Sequence, residues 1–144
     1  MGFERSCCFL FFFLTVGLAS SSPSTHISYD ALRVQRGRGL VEKFYVKNDC
    51  PVDFGKEDMT PLTSKCRGPH YNPLTCCTGF KQITCKYLPL INKLNNGCAT
   101  GLFYHVNRRG GYPDGLFDQI CHDDPQGLSC TTVLGRSNGN KGRN

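Results

Sequence analysis

Eight cysteines in the central part of the chain constrain its fold more than any other feature. They lie between residues 50 and 130, with intervals of 15, 9, 0, 7, 12, 22 and 8 residues. They are Cys50, Cys66, Cys76, Cys77, Cys85, Cys98, Cys121 and Cys130. An even set at this density is typical of the disulfide framework of a secreted protein. We therefore predict four disulfides, whose pairing the sequence leaves open among about a hundred possibilities.

The first 19 residues have the composition of a secretory signal peptide. A short polar start precedes an apolar run, Cys7 to Leu18, which is shorter than the roughly 20 residues that a membrane-spanning helix requires. Gly17 and Ala19 supply the small side chains that precede a cleavage site. We therefore predict that residues 1–19 are a cleaved signal peptide and that the chain enters the secretory pathway.

Three further segments differ in composition. Residues 20–49 begin with a Ser-rich stretch and continue as a basic stretch interrupted by glycines, which predicts a linker with at most a short helix. Residues 50–130 carry the eight cysteines and are dense in apolar residues, so we interpret them as one domain. Residues 131–144 are rich in Gly, Asn and basic residues and are expected to be disordered.

The chain carries 17 Lys and Arg against 11 Asp and Glu, a formal net charge of +6. The basic residues are scattered, and no basic stripe with interleaved aromatic residues is present. A nucleic-acid partner is therefore not expected. A weak attraction to polyanions, such as acidic wall polysaccharides, is a minor expectation.

Helical periodicity prevails over strand alternation within residues 50–130. One apolar face carries Cys76, Phe80, Ile83 and Tyr87. The clearest helix begins at Cys98, and its apolar face carries Ala99, Leu102, Phe103 and Val106. Thr75 is the predicted N-cap of the first of these helices, the second is predicted to run from Cys98 to the glycines at 110–111, and shorter turns are predicted near Leu90 and Leu116. The predicted fold class is all-α: a small bundle of short helices with long loops, stapled by four disulfides.

The residues do not match known patterns of enzyme chemistry. A secreted phospholipase A2 carries its His-Asp on the helix with the paired cysteines, whereas here His122-Asp123 follows Cys121. A ribonuclease would need two histidines as acid and base, and the four histidines show no recognisable spacing. Asp124 could join His122 at a metal, but Asp-Asp-Pro is ordinary turn chemistry. We expect no catalysis, no cofactor and no metal.

A lipid carrier is the alternative from a different class. Plant nonspecific lipid-transfer proteins are also small helical domains with eight cysteines and an adjacent pair. Their pattern includes a Cys-x-Cys, whereas Cys85 and Cys98, the nearest equivalents here, are separated by 12 residues. A secreted lipid-binding protein therefore stays open as the alternative function.

Five blocks of residues point to a known family. They are Cys50-Pro51-Val52-Asp53-Phe54, then Thr63-Ser64-Lys65-Cys66-Arg67-Gly68-Pro69, then Tyr71 through Cys76-Cys77-Thr78-Gly79-Phe80-Lys81, then Cys98-Ala99-Thr100, and finally Gly111-Tyr112-Pro113-Asp114-Gly115-Leu116-Phe117. In this order, each with its cysteine spacing, they closely resemble the plant LORELEI and LORELEI-like GPI-anchored (LLG) proteins. The similarity runs from about Ile27 to Cys130.

This resemblance implies a function at the cell surface. LORELEI-like proteins are chaperones and co-receptors for FERONIA-type malectin-like receptor kinases, and they bind RALF signalling peptides together with the kinase ectodomain. No catalysis is attributed to them. We therefore expect a malectin-like ectodomain and a RALF peptide as partners, outside the cell or at the outer face of the plasma membrane.

The second half of the domain is the candidate contact surface, because aromatic residues there lie on a Gly/Pro-rich turn between Cys98 and Cys121. The predicted binding residues are Phe103, Val106, Tyr112, Asp114, Gly115, Leu116 and Phe117. For Phe103, Leu116 and Phe117 a place in the core is the competing interpretation. Because RALF peptides and this chain are both basic, acids such as Asp114 and Asp118 are expected to contribute to recognition.

The C-terminus departs from the family pattern. A GPI signal needs a hydrophobic tail of about 10–20 residues. The last seven residues, from Asn138 to Asn144, contain no apolar side chain. The resemblance implies an anchor that this C-terminus does not encode, so we expect either a secreted variant or a C-terminus that comes from an alternative transcript or an altered gene model.

Overall fold

The computed structural model describes residues 23–34 and 49–139. Its helices are α1 (Tyr29–Arg33), α2 (Thr60–Thr63), α3 (Pro73–Thr84), α4 (Leu88–Ile91), α5 (Cys98–Gly110), α6 (Leu116–Ile120) and α7 (Thr131–Gly139). Short 3-10 turns cover Phe54–Lys56 and Cys85–Tyr87, and two strands, β1 (His26–Ile27) and β2 (Leu128–Ser129), pair antiparallel. The predicted all-α class with four disulfides is confirmed. In the described part of the chain no helix is long and apolar enough to cross a membrane.

The two longest helices begin and end where local chemistry allows. The Asn72 side chain accepts hydrogen bonds from the first backbone amides of α3, and Pro73 occupies the first turn, where its missing N–H costs nothing. This N-cap lies three residues before the predicted Thr75. The last residue of α5 is Gly110, and Gly111 is its C-cap. The φ of Gly111, 63°, is the left-handed conformation favoured at this position.

The disulfides fasten short helices to one another. The pairs are Cys50–Cys98, Cys66–Cys76, Cys77–Cys121 and Cys85–Cys130. Adjacent residues on a helix point about 100° apart, so Cys76 and Cys77 bond to different neighbours of α3. One of them holds the loop after α2, and the other holds the end of α6. Helices of four or five residues are not stable alone, and these cross-links disfavour the unfolded chain by about 2–4 kcal/mol each.

Three stacked aromatic rings occupy the centre of the core. The Phe80 ring of α3 lies 4.3 Å from that of Phe117 in α6 and 5.7 Å from that of Phe103 in α5, measured between centroids, and both pairs are nearly parallel. All three side chains are fully buried. This stack joins the three helices at one point and fills the space between them with side chains.

The N-terminal segment differs from the linker that composition predicts for residues 20–49. Ile27, Ala31 and Leu32 are fully buried in the same core as the cysteine domain. Strand β1 pairs with β2, and the side chain of Asn92 bonds both the Ser28 amide and the His26 carbonyl. The folded unit therefore includes residues 26–34. The sequence signal was weak because these contacts join segments that are 64 or more residues apart in the chain.

The C-terminal stretch also differs from the expected disordered tail, as far as the structure describes it. Residues Thr131–Gly139 form α7 rather than the disordered tail predicted from residue 131. The helix starts beside the Cys85–Cys130 disulfide, the Ser129 hydroxyl accepts from the Thr131 amide at 3.4 Å, and Val133 packs against the core. The predicted signal peptide and residues 140–144 lie outside the described residues.

Two helical glycines should respond oppositely to alanine. A Cβ on Gly79 would lie 2.7 Å from the Pro61 carbonyl oxygen and 2.9 Å from the Leu62 Cα, which are backbone atoms of α2. We expect Gly79→Ala to lower the free energy of unfolding by about 1–3 kcal/mol. Gly101→Ala meets only the Phe54 ring at 3.6 Å and should stabilise α5 by up to about 1 kcal/mol. Urea unfolding of both variants tests this, and a loss with Gly101→Ala as large as with Gly79→Ala would contradict it.

Because His26 bonds the Asp124 carboxylate, we predict that the domain loses stability in acid. Burial raises the pKa of Asp124, but hydrogen bonds from the Gln126 amide and from His26, at 2.7 Å, outweigh it and hold the pKa below the ordinary 3.8. The stabilisation is therefore present above about pH 4 and is lost as the pH falls through the folded-state pKa.

We expect Asp124→Asn to lower the Tm at pH 6 and to flatten the further fall of the Tm between about pH 4 and pH 2. Thermal melts across this range measure both effects. Asp30→Asn, an exposed aspartate of α1, should follow the wild-type curve. A curve for Asp124→Asn that runs parallel to the wild type would refute the assignment.

Candidate recognition surface

A five-residue loop, Gly111 to Gly115, connects α5 to α6, and we call it the recognition loop. Both terminal glycines have positive φ, 63° and 78°, a conformation that other residues adopt only with strain. Gly111 ends α5 and Gly115 is the N-cap of α6. The chain therefore reverses within a few residues, and the loop is defined by backbone geometry at each end.

Tyr112 fixes the loop to the core. Its hydroxyl donates to the Cys66 carbonyl oxygen at 2.8 Å, and its ring stands edge-on to Phe117 at 5.3 Å. Burial raises the pKa of Tyr112, so the phenol stays protonated and remains a donor at neutral pH. A side chain at Gly110 would overlap the Tyr112 ring, so this position favours glycine because of the close approach.

Asp114 is held in place although its side chain is exposed. One carboxylate oxygen accepts a hydrogen bond from the Asn107 side-chain amide at 2.9 Å. Asn107 lies in the last turns of α5 and is only 9% exposed. The loop thus presents a carboxylate whose position depends on a buried amide.

The structure separates the predicted binding residues into two groups. Phe103, Val106 and Phe117 are completely buried, so their side chains lie beneath the surface and support the loop. Tyr112 and Leu116 are buried to 6% and 7% exposure, and Gly115 is also buried. Asp114 is the member of the set with an exposed side chain. The core interpretation therefore fits Phe103, Leu116 and Phe117, and contact with a partner stays a prediction for the loop itself.

Asp118 does not fit the expectation that it meets a basic peptide. Its side chain is 4% exposed and its carboxylate lies 3.8 Å from the Arg33 guanidinium of α1. A buried carboxylate needs such compensation because desolvation of an unpaired charge is costly. Asp118 therefore helps to attach the N-terminal segment to α6.

Two residues outside the predicted set, Tyr71 and Leu74, carry exposed apolar surface. The Tyr71 ring packs edge-on against Tyr112 at 5.9 Å and is partly exposed. Leu74, in the first turn of α3, is 78% exposed, more than any other large apolar side chain in the described residues. The signal was available for Leu74, because it lies two residues before Cys76 and so about 200° around the helix from the apolar face.

Three of the four histidines lie in structural contacts. His26 bonds Asp124, His122 lies against the Tyr29 ring at 5.6 Å, and His105 stands edge-on to Tyr104 at 5.2 Å. Within residues 23–34 and 49–139, no group of three or more His, Cys, Asp or Glu side chains is arranged to hold a metal ion. A shallow groove between α3 and α7 is lined by Thr78, Lys81, Gln82, Thr132 and Val133.

The Tyr112 anchor gives a test of how firmly the loop is held. Tyr112→Phe removes the hydroxyl and leaves a buried carbonyl without its donor, so we expect a loss of about 1–2 kcal/mol in the free energy of unfolding. Tyr71→Phe is the matched control, since Tyr71 lies at the surface side of the same ring pair. Denaturant unfolding measures both variants, and equal losses would show that the hydroxyl of Tyr112 is not the anchor.

Comparison with known proteins identifies the family. A family model described as the LLG1 domain matches residues 52–129. GPI-anchored protein LLG1 of Arabidopsis thaliana is 41% identical over 125 residues, which cover 84% of this chain and 73% of the relative. GPI-anchored protein LORELEI of the same plant is 37% identical over 121 residues, with the same two coverages.

Two solved structures share the fold. One chain in a complex of the plant peptide RALF23 with FER and LLG2 matches with a TM-score of 0.55 and 37% identity, over 56% of this chain and 96% of that one. The crystal structure of LLG1 matches with a TM-score of 0.53 and 43% identity, over 58% and 89%. The resemblance found in the sequence is confirmed, and the chain belongs to the LLG1-domain family of LORELEI-like GPI-anchored proteins.

Proposed function

We propose that this chain is an extracellular co-receptor and chaperone for FERONIA-type malectin-like receptor kinases and that it binds RALF peptides together with the kinase ectodomain. The observation that carries the proposal is its similarity, over nearly the whole matched chain, to a structure of RALF23 with FER and LLG2. A domain stapled by four disulfides with a rigid exposed loop is suited to recognition, because little chain entropy is lost on binding.

The recognition loop is the proposed contact. Gly111, Pro113 and Asp114 are its exposed residues, Tyr112 and the following Leu116 are buried next to them, and Gly115 gives the backbone its turn. Phe103, Val106 and Phe117 belong to the site as its support. Tyr71, whose ring packs against Tyr112, adds partly exposed aromatic area beside the loop. Small apolar contacts and one fixed carboxylate can recognise a basic peptide although the chain as a whole is positive.

No catalytic role is proposed. Thr25, His26 and Asp124 form a chain of side-chain contacts at 3.0 and 2.7 Å. These contacts lie between strand β1 and the turn before β2, where they join the N-terminal segment to the domain. The family relatives are named as anchored proteins, which agrees with a binding function.

A lipid-binding function has less support. The stack of Phe80, Phe103 and Phe117 fills the centre of the helices, where a lipid carrier would need a tunnel.

We place the protein outside the cell, at the outer face of the plasma membrane, where its GPI-anchored relatives act. Tethering beside a receptor raises the effective concentration of both partners.

A reconstitution with purified components tests the proposal. The FER ectodomain, the RALF23 peptide and this chain are mixed, and the complex is followed by size exclusion and calorimetry. We expect stable retention when both partners are present. Tight fatty-acid binding without any protein partner would instead favour the lipid carrier.

Two exposed prolines provide matched variants for the same assay. Pro113→Arg adds bulk and positive charge to the recognition loop and should weaken the ternary complex about tenfold or more, with little change in Tm. Pro125→Arg makes the same change in the turn before β2 and should leave the affinity unaltered. Equal affinities for the two variants would locate the contact elsewhere on the domain.

A further inference from the structure

The side chain of Asn107 contacts the recognition loop from the interior of the domain. It lies in α5, is 9% exposed, and donates its amide hydrogen to Asp114 at 2.9 Å. Its backbone carbonyl accepts from the amides of Gly111 and Tyr112, the latter at 3.0 Å. One residue therefore holds the loop at its start, through the backbone, and at its exposed acid, through the side chain.

We propose that Asn107 is a positioning residue, which aims the Asp114 carboxylate at a cationic side chain of the bound peptide. The inference rests on the proposed function, because it concerns the same loop. It adds a chemical class of contact, a Lys or Arg side chain, and the residue that makes the contact specific.

The charges around Asp114 support this assignment. The cations next to Asn107 in the chain are engaged elsewhere: Arg108 donates to the Tyr104 hydroxyl at 2.6 Å, and Arg109 donates to the carbonyl oxygens of Gly55 and Glu57. Neither guanidinium lies within salt-bridge distance of Asp114 among the described residues. The Asp114 charge is therefore available to a partner.

The Asn107 amide can position the Asp114 side chain because it bonds only one of the two carboxylate oxygens. Asp114 accepts from Asn107 through one oxygen, which leaves the second oxygen of an exposed side chain for the partner. Fixing the acid in advance lowers the entropy cost of a charged hydrogen bond. On a chain with a net charge of +6, one fixed carboxylate also sets the register of a cationic ligand, since other orientations are repelled.

A double-mutant cycle tests whether Asn107 acts through Asp114. The variants are Asn107→Leu, which is similar in size but cannot donate, Asp114→Asn, and the two combined. Affinity for RALF23 with the FER ectodomain is measured by calorimetry. We expect each single variant to lose about tenfold and the double variant to lose no more than Asp114→Asn alone. Independent, multiplying losses or an unchanged affinity for either single variant would overturn the inference.

A variant in which the two side chains are exchanged distinguishes the effect of loop order from the effect of the charge at position 114. Asn107→Asp with Asp114→Asn restores a hydrogen bond between the two positions but moves the negative charge into the interior. We expect hydrogen exchange of the amides from Tyr112 to Leu116 to return to wild-type protection while the affinity stays low. Recovery of affinity in the swapped pair would show that the exposed charge is not the contact.

The partner's cation is located with RALF23 peptides in which Lys and Arg residues are replaced one at a time by Gln. One such peptide should bind wild type and Asp114→Asn equally, and the absence of any such peptide would refute a cationic contact. Failure of the wild-type chain to assemble with FER and RALF23 would instead contradict the proposed function itself. The two failures are therefore distinguishable.

Discussion

The contact between the rings of Phe80 and Phe117 determines where the recognition loop lies. Helix α6 has five residues and makes few internal hydrogen bonds, so its position depends on packing and on the Cys77–Cys121 disulfide. The ring centroids are 4.3 Å apart, and the Tyr112 ring meets the edge of Phe117. Helix α3, the end of α6 and the loop are thereby joined through contiguous aromatic contacts, and a cavity at Phe117 would release all three.

The recognition loop has a fixed geometry, and we expect recognition to rely on it. Glycines with positive φ set its two ends, and Tyr112 attaches it to the Cys66 carbonyl. Binding to this loop alone buries little surface area, so a stable complex needs further contact area from the partner. A peptide that is shared with a receptor ectodomain meets this requirement, because two surfaces then cover it together.

The sequence predicted what depends on local spacing. Helix α5 between Cys98 and Gly110, the helical α6 and the divergence of Cys76 and Cys77 follow from periodicity, glycine chemistry and helix geometry. It did not predict the pairing of β1 with β2, since two-residue strands carry no alternation and their register depends on residues about 100 positions away. It also could not distinguish buried from exposed aromatic residues between Cys98 and Cys121, which is why Phe103 and Phe117 were candidates for direct contact.

The N-terminal segment and the recognition loop are connected through α6. Arg33 compensates the buried Asp118 carboxylate, which lies one residue after Phe117 in the stack, and His26 and Tyr29 bond Asp124 just beyond the Cys77–Cys121 bridge. The Arg33 guanidinium is one of the contacts that compensate this carboxylate, which is 4% exposed and lies next to Phe117 in α6. Residues 26–34, which composition assigned to a linker, therefore contact both α6 and the turn before β2, the elements that follow the recognition loop.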